Sequence, residues 1–405
     1  MLEILPPDAL RFLSIPLLAA LVGWATNVLA LKMTFYPLEF LGLRPYLGWQ
    51  GIIPAKAESM ARRTVNLMTT RLVGVREVVE RLDPDRVVEE LSAGVEQMLQ
   101  NVINQTMSER HPLLWELMPE SARLEIYRRA AVDAEEVISQ SLIDLKLEAE
   151  DVLDLEEMAV AALLEDRAFL NRIFLECGRE EFKFIERSGL YFGFLFGLIL
   201  MVARFFFDVS WLMPLAGFFI GYLTNFLALK MIFEPTRPRQ VLGLSWQGSF
   251  LKRQDEVSEA YARLVSQNIV NTKNILGAMF EGSGGAKLIE IIERHVLDAA
   301  DRYEAVPRLM TNFLLGSDDY EELKSGIAAA IIEAVPKGAL YDVQAYADEA
   351  FDLENTLQYR LRHLPPEQFA GLLRPIFQED EWKLLLVGAV LGLGVGLFQT
   401  FVVFG

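Results

Sequence analysis

Only one cysteine, Cys177, and three histidines, His111, His295 and His363, occur in the 405 residues. A lone cysteine excludes an intramolecular disulfide and fits segments held in a reducing, cytoplasmic compartment. The histidines are far apart and have no cysteine or carboxylate at metal-ligand spacing, so the sequence offers no metal centre. No nucleophile, base and orienter can be named. Cofactor loops are missing as well. Gly392-Leu393-Gly394-Val395-Gly396 follows no strand and sits inside an apolar run. Gly282–Lys287 lacks both a preceding strand and the Lys-Ser/Thr ending of a phosphate loop. Basic residues are outnumbered, 38 against 56, for a net charge of −18. With no basic stripe carrying interleaved aromatics, nucleic acid is disfavoured. Period-two alternation never runs long enough to demand a sheet. The expectation is a protein that is not an enzyme and has no cofactor.

What is present is said twice. Residues 23–37, GWATNVLALKMTFYP, return at 221–235 as GYLTNFLALKMIFEP, ten of fifteen positions identical at an offset of 198. Pro16 and Pro214, Trp49-Gln50-Gly51 and Trp246-Gln247-Gly248, and Asp154-Leu155-Glu156 and Asp352-Leu353-Glu354 repeat at nearly the same offset. Self-similarity at a fixed period indicates a duplicated unit. The halves are read as 1–206, with spans at 12–34 and 185–205 around a helical domain at 50–184, and 207–405, with spans at 211–233 and 383–404 around a domain at 248–381. The fold class is thus an all-α integral membrane protein with four transmembrane helices in total.

The spans follow from charge segregation. Apolar residues make up 52% of the chain and charged ones 23%, yet four stretches near 12–31, 188–203, 211–229 and 384–404 are almost free of charge. Each is close to the roughly 20 residues that cross a bilayer core as a helix. The first resembles a signal peptide, but its pattern recurs in mid-chain, so it is expected to be retained. Lys32, Arg44, Lys56, Lys183, Arg187, Lys230, Arg237, Lys252 and Lys383 cluster at one end of the spans, while the other end carries only Arg11 and Arg204. By the positive-inside rule both large polar segments face the cytoplasm and both termini lie outside, in an inner membrane. The second and third spans form a tight hairpin around Asp208.

The polar segments read as helices. Asp83-Pro84 is an N-cap followed by proline at the first helical position, and Val87, Leu91, Val95, Met98, Leu99 and Val102 then recur at helical spacing. Leu288, Ile291, Ile292, Val296 and Ala299 do the same in the second half. Breaks are expected at His111-Pro112, Met118-Pro119, Gly282–Gly285, Val335-Pro336 and Pro365-Pro366.

The twin boxes hold the candidate binding residues Thr26, Asn27, Lys32, Thr224, Asn225 and Lys230. An amide in hydrocarbon needs a partner. Asn27 and Asn225 therefore either bond across the pseudo-twofold or to a neighbouring carbonyl, holding the bundle, or join Thr26 and Thr224 in lining a polar site or passage. Gly23 and Gly221 stand beside the asparagines as small residues for close helix approach, and spans one and three are expected to meet there. Gly189, Gly193, Gly197 and Gly388, Gly392, Gly396 give the second and fourth spans a packing face. Lys32 and Lys230 either snorkel to head-group phosphates or bind a specific lipid head group or anionic substrate.

The boxes, together with Leu43–Glu58, ending IPAKAE, and the ending LPPEQFAGLLRPIFQEDEWKLLLVGAVLGLGVGLFQ at Leu364–Gln399, resemble the bacterial membrane-protein family catalogued as domain of unknown function 445. The resemblance implies a helical inner-membrane protein and supplies no catalytic residue. In one departure, Phe250-Leu251-Lys252-Arg253 stands where the first half has Ile53-Pro54-Ala55-Lys56. The leading functional expectation is a binding or transport-like protein with lipid as ligand. The alternative is an envelope scaffold whose cytoplasmic helices dock a protein partner.

Overall fold

The computed structural model describes residues 7–403 except 44–46, 111, 208, 210, 242–243, 303–328, 331–342, 373 and 375–380. Arg44, His111, Asp208, the break at Val335-Pro336 and part of the 364–399 ending lie outside the described residues.

In the first half α1 (Pro7–Phe35) leads to a hairpin of β1 (Leu41–Leu43) and β2 (Leu47–Trp49). Then come α2 (Ile52–Ala55), α3 (Ala57–Arg71), α4 (Val75–Glu80), α5 (Pro84–Arg110), α6 (Pro112–Leu117), α7 (Glu120–Leu147), α8 (Ala149–Val152), α9 (Leu155–Glu165), α10 (Arg167–Cys177) and α11 (Arg179–Phe206). The second half has α12 (Leu212–Phe233), a hairpin of β3 (Arg239–Val241) and β4 (Leu244–Trp246), α13 (Ser249–Lys252), α14 (Gln254–Asn268), α15 (Thr272–Glu281) and α16 (Gly285–Arg302). After a helical stretch at 343–351 come α17 (Leu353–His363), α18 (Pro366–Ala370), α19 (Glu381–Phe398) and a π-helical turn at Gln399–Val403.

Among the described residues four helices are long and apolar enough to cross a membrane: Phe12–Phe35, Arg179–Arg204, Leu212–Phe233 and Glu381–Phe401. The all-α reading holds for the architecture, and the two small hairpins are the departure from it. They are three residues per strand, too short to register as alternation.

The chain packs into two compact units, and each draws on both halves: Met1–Leu67, Leu163–Leu264 and Gln358–Gly405 form one, Met68–Ala162 and Val265–Leu357 the other. Compact packing therefore divides the chain differently from the two halves. The first unit contains the four apolar helices, with α1 lying along α11 and α12 along α19, and lesser contacts of α11 with α12 and α1 with α19. At the ends of α1 and α12 aromatic rings interlock. Phe35 meets Phe182 edge-on at 5.1 Å, and Phe250 stacks on Phe369 at 4.9 Å while touching Phe233 at 5.9 Å.

In the second unit α5 begins where Asp83-Pro84 predicts, Asp83 Oδ1 accepting the Asp85 amide at 2.9 Å. Its buried Leu99, Ile103 and Met107 join Trp115, with Ile126, Tyr127, Ala130 and Ala134 of α7 against them. Each such side chain taken out of water contributes roughly 1.5–3 kcal/mol. Leu288, Ile291, Val296 and Ala299 of α16 are also buried, and α16 lies on α7 and α8. Here the two halves join through polar groups. His295 Nε2 and Arg294 Nη1 reach Asp144 Oδ2 at 2.8 and 3.2 Å, and Lys287 Nζ reaches Glu148 at 3.0 Å. Arg81 donates to the Phe351 carbonyl and, at 2.9 Å, to Thr356 Oγ1.

Candidate functional site in the membrane helices

The two boxes sit in the second halves of α1 and α12, where helical spacing turns glycine and asparagine toward one neighbour. That neighbour is the other span of the same half. Asn27 Nδ2 donates to the Ile185 carbonyl on α11 at 2.6 Å, and Asn225 Nδ2 donates to the Leu384 carbonyl on α19 at 3.0 Å. Asn27 is fully buried and Asn225 is 4% exposed. Thr26 and Thr224 are buried too, and each hydroxyl turns back on its own helix, to Gly23 O at 3.0 Å and Gly221 O at 3.3 Å. Within the membrane such bonds satisfy groups that hydrocarbon cannot. Asn27 Oδ1 is buried without a hydrogen-bond partner.

The glycines explain why the amides reach. A Cβ on Gly23 would fall on the Gly189 carbonyl, and one on Gly221 would fall on that of Gly388. Gly193 lies against Ala19, Gly197 against Pro16, Gly392 against Gly217, and Gly396 against Met213 and Pro214. Backbones this close bring a short amide within reach of a carbonyl on the facing helix. The expected meeting of Gly23 with Gly221 is therefore corrected: each glycine faces the second helix of its own half. The physical reason is complementarity, because the small residues of α1 and α12, Ala19 with Gly23 and Gly217 with Gly221, lie against the glycine stripes of α11 and α19, where backbone meets backbone.

Lys32 and Lys230 are exposed in the last turns of α1 and α12, where a cation complements the negative end of the helix dipole. Lys230 Nζ lies 4.0 Å from Glu234 Oε2 and 5.6 Å from the centre of the Phe226 ring. The six candidate binding residues thus fall into two sets: four enclosed in helix pairs, and two lysines outside them.

Three residues that cap and join these helices were not among the candidate site residues. Asn171, buried on α10, donates to the Phe35 carbonyl at 2.7 Å, and Trp49 Nε1 donates to the Met33 carbonyl at 3.2 Å. Both carbonyls belong to the last turn of α1, which has no helical donor for them. Position 369, at the 198 offset from Asn171, is Phe369, so the second half closes the corresponding region with stacked rings instead. Arg253, at the departure from the Ile53–Lys56 pattern, holds the buried Glu181 at 2.8 Å and Glu256 at 2.9 Å. That substitution was the visible signal. Cys177 is buried, and burial, with Glu176 adding to it, pushes its thiol up to about 12, which leaves it inert as a nucleophile. Among the described residues no three His, Cys, Asp or Glu side chains are grouped to hold a metal ion.

No family model matches the chain, and no solved structure matches it. The chain is 27% identical over 151 residues to the UPF0754 membrane protein of Cyanothece sp. strain PCC 7425. The match takes in 33% of this chain and 37% of that protein. The chain thus spans well under half the length of the curated relative it matches. This likeness and the four apolar helices agree on a multi-pass membrane protein. The finer resemblance to the family of unknown function 445 has no matching family model behind it.

Proposed function

We propose that this protein is a non-catalytic scaffold of the cytoplasmic membrane, whose extramembrane helices dock a protein partner. The observation that carries the reading is the enclosure of Thr26, Asn27, Thr224 and Asn225, whose hydrogen bonds go to helix backbone. A ligand passage through the boxes would need those groups turned toward a cavity. The docking surface is supported by Leu113, Leu117 and Leu124 on α6 and α7, which are 75%, 83% and 58% exposed. Large apolar side chains clustered in water mark interaction sites. The basic residues at one end of the spans support a cytoplasmic position for these helices.

Lipid recognition is the second reading, favoured by Lys32 and Lys230, exposed in the last turns of two candidate spans, where cations meet anionic head groups. One experiment separates the two. A photoreactive residue at Leu124 is placed in the full chain in cells, in the parent, in a Leu113→Asp, Leu117→Asp variant and in a Lys32→Gln, Lys230→Gln variant. Native mass spectrometry reads the retained lipid of each. The scaffold reading expects protein crosslinks that vanish only with the leucine changes, and one anionic-to-zwitterionic lipid ratio throughout. A ratio that falls with the lysine changes, with crosslinks absent or unaffected by the leucine changes, replaces it with lipid handling.

A further inference from the structure

The geometry points to the two hairpins, β1–β2 and β3–β4, as membrane-interface anchors that lay one apolar face in the head-group layer beside the ends of α1 and α12. In the first, Leu41 pairs with Trp49 and Leu43 with Leu47. Partners opposite one another in an antiparallel pair share a face, so every second position along both strands is apolar. Leu41 and Leu43 are 65% and 76% exposed. Gly42 and Gly48 form the other face, which carries no side chain of its own, and a side chain added at Gly48 would run into the ring of Phe40. In the second hairpin Arg239 pairs with Trp246 and Val241 with Leu244, so the face of Trp246, which is 44% exposed, also carries the charged Arg239.

Both hairpins are fixed to the ends of candidate spans. Trp49 Nε1 bonds to Met33 O at 3.2 Å, and Gly51 N to Pro37 O at 2.9 Å. Gly48 and Gly51 pack where a side chain would not fit, Gly51 against Phe35, the last residue of α1. In the second half Gly248 N bonds to Pro235 O at 3.1 Å, Gln247 Nε2 bonds to Thr236 O at 3.0 Å, and Gly248 sits against Phe233, the last residue of α12. Because the helices cross the bilayer, these ties set the hairpins at its boundary.

Two physical arguments place them in the head-group layer. An isolated two-stranded hairpin in water is marginal and needs a surface against one face. Its outward N–H and C=O groups, however, are unpaired, which the hydrocarbon core does not tolerate but the hydrated head-group region does. Tryptophan with leucine beside basic residues is the composition that region favours, and Lys32, Lys230, Arg237 and Arg239 are exposed around the hairpins.

The test uses the full chain in vesicles of phosphatidylcholine and phosphatidylglycerol, on a Cys177→Ser background. A polarity-sensitive fluorophore is attached at Leu43→Cys and, separately, at Ser245→Cys, whose register partner Gln240 puts it off the Trp246 face. The position-43 probe is expected to show blue-shifted emission, quenching by lipids carrying a nitroxide near the head group, and loss of access to iodide. The position-245 probe is expected to be open to iodide. If iodide reaches both probes equally, the hairpins lie in water and the inference fails. If neither iodide nor nitroxide lipid quenches position 43, protein covers that face, a second copy included, and the inference fails equally.

Discussion

The apolar helices and the second helical unit join the two halves of the chain in opposite ways. Among the spans the principal pairs form within a half, α1 with α11 and α12 with α19, through glycine against backbone and one amide to one carbonyl. In the unit of Met68–Ala162 and Val265–Leu357 the halves are bound to each other, through Asp144 with His295, Glu148 with Lys287, and Arg81 with Phe351 and Thr356. The difference follows from solvent. Between membrane helices no hydrophobic driving force selects a partner, so shape decides, and the stripes of small residues lie on the neighbour of the same half. In water apolar stripes attract any other stripe, and charges at the margin select the register.

The sharpest way to break the comparison is to remove the shape. Gly23→Ala puts a methyl on the Gly189 carbonyl, whereas Gly394 has open space around it. Forcing atoms into a packed contact costs typically about 1–3 kcal/mol. Gly23→Ala is expected at the upper end, and Gly394→Ala close to zero. Thermal unfolding of both variants in one detergent checks this. Equal midpoints would mean that the glycine contacts do not hold the pair.

A smaller effect separates the two amides. Replacing Asn27 or Asn225 by alanine removes a bond worth about 1–2 kcal/mol at most. Asn27 also buries an oxygen without a partner, which offsets part of its gain. Asn225→Ala is therefore expected to lower the unfolding midpoint more than Asn27→Ala, and the reverse order would show that the longer 3.0 Å bond is the weaker anchor.

The least effect belongs to the charges of the second unit. Glu148, and then Glu290, hold the Lys287 ammonium above the usual lysine range. A raised lysine contributes stability that is complete below its unfolded pKa and fades as pH rises through the folded one. Lys287→Met should thus be slightly less stable than the parent at neutral pH, and the two should converge in strong alkali. A gap in unfolding midpoint that stays constant with pH would assign the effect to packing of the lysine stem instead.

Much of this was legible beforehand. Lack of charge marked all four spans, and Asp83-Pro84 marked the start of α5. The boxes named the residues that sit in the helix contacts. Their partners were hidden, because periodicity says that a face of a helix is buried and is silent on which helix covers it. Gly189 and Gly388 were visible as packing residues, yet nothing local ties them to Gly23 and Gly221. Asp144 and His295 read as ordinary members of helices until the fold sets them 2.8 Å apart. The hairpins escaped because three-residue strands are too brief to show a period, although Leu-Gly-Leu and Leu-Gly-Trp already alternate.

The bond from Asp144 to His295 spans 151 residues, and that distance is also an interval of time. A ribosome adding roughly 5–20 residues per second needs on the order of 10–30 s to make that stretch. For most of it α7 is finished while α16 does not yet exist. The membrane pair α1–α11 can close during synthesis of the first half, but the α7 surface destined for α16 stays uncovered on the nascent chain. A chaperone acting on this protein during translation therefore has one defined window, and it closes only as the second half emerges.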